Sequence, residues 1–332
     1  MTRTLTIGAV PHNTDGSGYY RLYLPFKELS ANSFHICAAA PPGQVPSPEE
    51  LNGVDVLALQ RPAGRSGARL LEKYMGRGTK LVYETDDDML NVDSSGLPHL
   101  AAEQARESVR RCLRLADMVT VTNEYLAETI RPYNDNIRIL PNHVKAGLLT
   151  LNRPKADRVT IGWAGGTSHL VDMIEIEEPL RNVLTRNPDV GMHFIGHDLS
   201  PLLRDLRGRA RWTGWQHDVG AYYKLVDFDI AIAPSADIPF NRAKTWLRAL
   251  EMAAMGIPIV ASNRLPYSEF VVDGKTGYLV NSPGEWETRL HDLIHDSDMR
   301  AEMRYAGKEQ ALGWLIEDGW KLWEQAYESV AS

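Results

Sequence analysis

Residues 234–262, PSADIPFNRAKTWLRALEMAAMGIPIVAS, read as the end of a buried strand, a polar loop, a helix, and the start of a second buried strand. Gly256 is placed to end the helix, and Pro258 stops it from restarting. Outward from this stretch the pattern recurs. Apolar runs at 159–163, 190–195, 229–233, 257–261 and 277–280 alternate with helical patterns at 168–187, 219–226, 242–255, 284–297 and 299–330. The first half carries runs at 5–10, 34–39, 54–59, 80–84, 118–122 and 137–140, with helical patterns at 18–30, 66–76, 99–116 and 123–131. Near-continuous apolar strands separated by helices predict parallel sheets covered on both faces. The expected class is α/β, with two doubly wound Rossmann-like domains facing across a cleft.

A chain of 332 residues exceeds what one hydrophobic core usually supports. Pro141, Asn142, Gly147, Asn152 and Pro154 break regular structure and set the boundary, giving domains 1–148 and 149–312. The remaining 313–332 forms a terminal helix with Trp314, Trp320 and Trp323. It either packs in a core or crosses back to the first domain. The net charge of -7 gives no overall basic footprint for nucleic acid. With only Cys37 and Cys112, neither a disulfide framework nor a thiolate metal site is expected, and a reducing cytoplasm is. No stretch approaches the roughly 20 apolar residues of a membrane span, so no integral membrane segment is expected.

Each half opens with a strand running into a glycine-bearing loop. The first, AVPHNTDGSGYYR, holds Gly16 and Gly18; the second, IGWAGGTSHLVD, holds Gly165, Gly166, Thr167, Ser168 and His169. Such loops bring backbone N–H groups close to an anion, and they also serve simply as tight turns. Neither matches the dinucleotide fingerprint, which argues against a nicotinamide dehydrogenase. In the predicted helix 242–255, Lys244, Arg248 and Glu251 share one face. They read either as a solvated polar stripe or as a nucleoside diphosphate site, with Lys244 on the phosphates and Glu251 on the ribose.

ALEMAAMGIPIVAS (249–262) and EFVVDGKTGYLV (269–280) resemble the C-terminal signature of retaining glycosyltransferases of family 4, the glycosyl transferases group 1, which have the GT-B fold. Glu251, Ala254, Gly256, Pro258 and Ala261 fall on its first part; Glu269, Asp273, Gly274, Thr276 and Gly277 fall on its second. PNHV (141–144), FIGHD (194–198) and WTGWQ (212–216) agree with it. The resemblance implies transfer of a sugar, with retention, from a UDP- or GDP-sugar held by the second domain. The nucleotide sugar is a substrate, so no cofactor is expected, and no metal. The acceptor enters from the first domain and is left open among small molecule, glycan, lipid, protein and modified DNA. The expected donor-binding residues are Gly16, Gly18, Gly165, Gly166, Thr167, Ser168, His169, Asn241, Lys244 and Glu251; the expected catalytic ones are Lys244, Asp87 and Asp237.

The chain also departs from that family. The earlier of its two glutamates would fall at Ala243, so Asp237 or Asn241 is expected to supply its contact. The arginine and lysine usual at the start of the second domain are missing from WAGGTSHLVD, and Lys244 is the expected replacement. An epimerase or phosphorylase on the same scaffold, and a non-catalytic nucleotide-sugar-binding module, are the alternatives. Product analysis with donor alone reveals an epimerase, and tight nucleotide binding without hydrolysis or transfer reveals the binding module.

Two segments have several readings. YETDDDML places Asp86, Asp87 and Asp88 after a strand, as a metal-binding Asp-x-Asp, a turn and helix cap, or an acceptor-orienting group. RPAGRSGARLLEKYMGRGTK (61–80) carries Arg61, Arg65, Arg69, Lys73, Arg77 and Lys80 against Glu72. It is a solvated helix face or a surface for an anionic partner.

Overall fold

A computed structural model describes residues 3–33, 35–41, 44, 47, 53–62, 64–92, 103–206 and 208–332, with the side chains of 64–66 and 70 outside that description. Phe34 of the expected strand 34–39, Arg65 of the basic stretch and the start of the expected helix 99–116 therefore lie outside it. The described chain divides into two compact units. One is Met1–His143 with Ala243–Thr245 and Ile316–Ser332; the other is Val144–Arg242 with Trp246–Leu315.

The first unit is built on six parallel strands, β1 (Thr6–Val10), β2 (Ile36–Ala39), β3 (Val56–Gln60), β4 (Lys80–Glu84), β5 (Met118–Val121) and β6 (Ile137–Ile139), in the order β2-β1-β3-β4-β5-β6. The second uses β7 (Thr160–Gly165), β8 (Gly191–Gly196), β9 (Ala210–Gly214), β10 (Ile230–Ala233), β11 (Ile259–Ser262) and β12 (Gly277–Val280), in the order β12-β11-β10-β7-β8-β9. In each sheet the order reverses beside the first strand, between β1 and β3 and between β7 and β10. Open α/β sheets bind ligands outside the carboxyl ends of their strands at such a switch point.

β9 was not expected from the sequence. It is an edge strand whose Arg211 and Trp212 are exposed, so it lacks the apolar run that marks the buried strands. The expected helix 168–187 is two helices, Leu170–Glu175 and Glu177–Arg186. The expected 299–330 is likewise interrupted, running Ser297–Ala311, then Ile316–Gly319 and Lys321–Ala331. At the second break Gly319 is required: a Cβ there would lie 2.3 Å from the His143 ring.

The polar centre of the first unit is Arg21, which is 0% exposed. Its Nε donates to Glu84 Oε1 at 2.6 Å and its Nη2 to Oε2 at 3.2 Å, while Nη1 donates to the Leu140 carbonyl and to Asn142 Oδ1 at 3.0 Å. The Trp323 indole N–H donates to the Arg21 carbonyl at 3.3 Å, tying the last helix to this unit. Removing Arg21 would strand a buried carboxylate, a loss of about 3–5 kcal/mol. The second unit centres on an apolar cluster that includes Trp163, Phe194, Ile161, Met192 and Leu290.

Candidate functional site

At the switch point of the second sheet, β7 ends in Gly165 and the chain turns through Gly166, Thr167, Ser168 and His169 into the helix Leu170–Glu175. That helix has six residues, so its dipole is a weak source of positive charge. A side chain from another element supplies the charge instead. Arg248, on the helix Leu247–Ala254, donates from Nε to the Ala164 carbonyl and from Nη1 to Tyr267 Oη, both at 2.9 Å. Its guanidinium carbon lies 5.5 Å from the centre of the Trp163 ring. A Cβ on Gly165 would come within 2.8 Å of Arg248 Nη2 and 2.7 Å of the Trp163 ring, so the glycine makes room for the guanidinium. An arginine thus reaches this loop from a helix 80 residues later, counting from Ser168 to Arg248.

Glu251 follows Arg248 by three residues and is 7% exposed. Burial first, and the Glu251 charge second, push the Tyr222 hydroxyl well above its ordinary pKa. Tyr267 is likewise raised by burial, against the pull of Arg248. Across the switch point Asp172, 1% exposed, joins residues far apart in the sequence. Its Oδ2 is hydrogen-bonded to His169 Nδ1 at 2.6 Å, and its Oδ1 accepts from Asn241 Nδ2 at 2.6 Å and from the Ala236 N–H at 2.8 Å. Asn241 Oδ1 is buried and has no hydrogen-bond partner among the described residues. His169, Asn241, Gly165, Gly166, Thr167, Ser168, Arg248 and Glu251 therefore all belong to the second unit; Asp172, Tyr222 and Tyr267, which the sequence does not single out, join them.

Asp237 has an exposed side chain and accepts from Arg242 Nε at 2.8 Å, on the surface rather than in the Asp172 cluster. Within the signature itself the roles divide. Gly256 takes φ +67 to end its helix, and Gly274 takes φ +71 in the following turn. Asp273 accepts the Leu279 N–H and Thr276 accepts the Val272 N–H. A Cβ on Gly277 would lie 2.3 Å from the Ile259 carbonyl. These residues shape the loop, and Glu269 is exposed.

Lys244 does not lie where the spacing put it. The helix starts at Leu247, a separate helical turn covers Pro239–Arg242, and residues 243–246 between them are not helical. Asn123 Nδ2 donates to the Ala243 and Lys244 carbonyls at 2.8 and 3.0 Å, drawing both away from a helical ladder. Lys244 and Glu251 therefore do not share a helix face, and Lys244 belongs to the first unit.

At the switch point of the first sheet, Gly16 takes φ +40 and a Cβ on Gly18 would lie 1.8 Å from the Asn13 carbonyl, so both glycines are required by the turn. Arg61 leaves β3 with φ +45, a strained conformation for a residue with a side chain. Its Nη2 donates to Ser17 Oγ at 2.6 Å, its Nη1 to Asp87 Oδ2 at 2.7 Å, and its Nε lies 3.6 Å from Asp86 Oδ1. Arg61 thus departs from the rest of the basic stretch, whose Glu72 pairs with Arg111. Burial and then Asp86 raise the Asp87 pKa, while Arg61 and Lys244 oppose them. Burial and Arg61 lower that of His12. Asp88 is the turn cap, accepting from the Leu90 N–H, the Asn91 N–H and Asn91 Nδ2. Among the described residues no group of three or more His, Cys, Asp or Glu side chains is placed as a metal site would need. No helix among them is long and apolar enough to cross a membrane.

Residues 168–296 match the family model described as Glycosyl transferases group 1, a span that holds Asp172, Asn241, Arg248 and Glu251. The chain is 25% identical over 236 residues to TuaH of Bacillus subtilis (strain 168), named as a teichuronic acid biosynthesis glycosyltransferase, with 61% of this chain and 57% of that one covered. It thus spans little more than half of TuaH's length. It is 25% identical over 329 residues to a D-inositol 3-phosphate glycosyltransferase of Arthrobacter sp. (strain FB24), covering 84% and 76%. The crystal structure of Anabaena HepE in complex with UDP-glucose superposes with a TM-score of 0.69 at 14% identity, over 98% of this chain and 99% of that one. This likeness shows the fold, which is the two-domain α/β architecture of GT-B type.

Proposed function

We propose that this protein is a glycosyltransferase of family 4 type that moves a sugar from a nucleoside diphosphate donor to an acceptor hydroxyl, with retention. The observation that carries the proposal is the Arg248 guanidinium fixed beside the Gly165–His169 loop, with the buried Glu251 one turn further along the same helix. Charge builds on the leaving diphosphate as the glycosidic bond breaks. A guanidinium already held by a carbonyl, a phenol and an indole face stabilises that charge without reorganising. Glu251 accepts hydrogen bonds from the ribose hydroxyls. Asn241 Oδ1 and His169, aligned by Asp172, face the transferred sugar. The acceptor proton passes to a donor phosphate oxygen. Neighbours crystallised with UDP or UDP-glucose support a uridine donor.

The fixed cation makes a metal unnecessary, so EDTA should leave turnover unchanged. A thermal-shift screen of UDP, GDP and their sugars tests the donor, because a selective ligand raises Tm by mass action. If no nucleoside diphosphate stabilises the wild-type chain, the proposal fails. NMR of the product's anomeric proton tests retention, and cell fractionation tests the expected cytoplasmic location.

A further inference from the structure

The carboxyl edge of the first sheet carries buried polar atoms that have no hydrogen bond among the described residues. Gln60 ends β3 and is 4% exposed. Its Oε1 accepts the His12 N–H at 2.9 Å, which fixes the amide beside the loop that follows β1. Its Nε2 is buried and donates to nothing among the described residues. Asp86 Oδ1 and Arg61 Nε are also buried without a hydrogen bond among the described residues, and meet each other as an ion pair at 3.6 Å. Buried polar atoms are nearly always paired, so orphans gathered at a switch point indicate something that fills them.

The orphans specify its chemistry. They are two donors and one acceptor, and a hydroxyl both donates and accepts. A phosphate only accepts, and here it would face the carboxylates of Asp86 and Asp87. We propose that this edge binds a neutral polyhydroxylated ring, a sugar or cyclitol, through Gln60 Nε2 and Asp86 Oδ1; the inference rests on the glycosyl-transfer proposal and makes that ring the acceptor. Arg61 is a positioning residue here. Tied to Ser17 and Asp87, it holds Asp86 in place.

Gln60→Glu tests this directly, because it keeps an oxygen for the His12 N–H and replaces the donating amide with a carboxyl that, once ionised, only accepts; Gln60→Met removes the donor without adding charge. UDP affinity of the whole chain is measured by calorimetry. Binding of methyl α-glucoside, methyl α-mannoside, methyl α-galactoside, N-acetylglucosamine, myo-inositol and the phosphates of these rings is then read by saturation-transfer NMR with UDP present. At least one neutral ring should bind, and its Kd should rise about tenfold or more in Gln60→Glu and Asp86→Asn, with UDP affinity kept within about twofold. If only the phosphorylated rings bind, if no ring binds, or if Gln60→Glu binds the neutral ring as wild type does, the inference is overturned while glycosyl transfer stands. Absence of UDP binding by the wild-type chain sinks both. Tm shows that each variant folds; should Gln60→Glu not fold, the near-isosteric Gln60→Met carries the same comparison.

Discussion

The carboxyl edges of the two sheets occupy the same topological position and differ in chemistry. At the second, a glycine loop lies against one guanidinium, and the carboxylate of Asp172 is spent on aligning His169 and Asn241. At the first, Asp86 and Asp87 crowd one guanidinium, and the Gln60 amide nitrogen and Asp86 Oδ1 have no hydrogen bond among the described residues. On the two proposals, the first edge takes hydroxyls and the second an anion. A doubly wound sheet fixes where a ligand sits, and the few side chains at the switch point decide which ligand it is.

The contrast can be broken at its strongest point by Arg248→Gln. Loss of the cation should lower kcat/KM by about 10²–10³-fold and weaken UDP, since it removes a preorganised charge from the leaving group. Unchanged UDP affinity would move the anion site elsewhere. Glu251→Gln should weaken UDP-sugar binding by about tenfold in a folded protein, the size expected when one charged hydrogen-bond acceptor is lost. Equal binding by calorimetry would make Glu251 a core residue only.

A third test concerns stability of the first unit. Burial pulls His143 down to about 4. Its folded value lies below its ordinary one of about 6.5, so protons favour the unfolded chain. The stability it lends is complete above about pH 6.5 and falls as pH drops toward about 4, by at most about 1.4 kcal/mol per pH unit. Denaturant titrations of wild type and His143→Gln should differ in slope across that window; parallel curves would show that His143 titrates normally. The smallest effect is expected from Asp237→Ala. Its pairing with Arg242 is exposed, so stability should change by less than about 0.5 kcal/mol and turnover by less than about twofold. A large loss of turnover would return Asp237 to the catalytic group.

Local sequence made much of this legible. β7 and β8 are buried on both faces and read as apolar runs, whereas β9 is an edge strand with exposed Arg211 and Trp212 that pairs with β8. Spacing from Gly256 and Pro258 singles out Glu251, and the structure buries it. Arg248 was seen in the same helix yet not connected with the loop after β7, because nothing local says that a side chain at 248 will lie under Gly165. Lys244 was misplaced for the complementary reason: helical spacing continued through 243–246, and a distant amide, Asn123, overrode it.

Order along the chain settled what repeats every two or three residues and what punctuates it: two α/β halves, their glycine turns, and the helix stop at Gly256. Folding in three dimensions settled which charges meet, namely Arg248 with the Ala164 carbonyl, Asp172 with Asn241, and Arg61 with Ser17 and Asp87. Periodicity is a property of neighbours along the backbone. A guanidinium and its partners converge from separate strands and helices, and only the packed sheets bring them within hydrogen-bonding range.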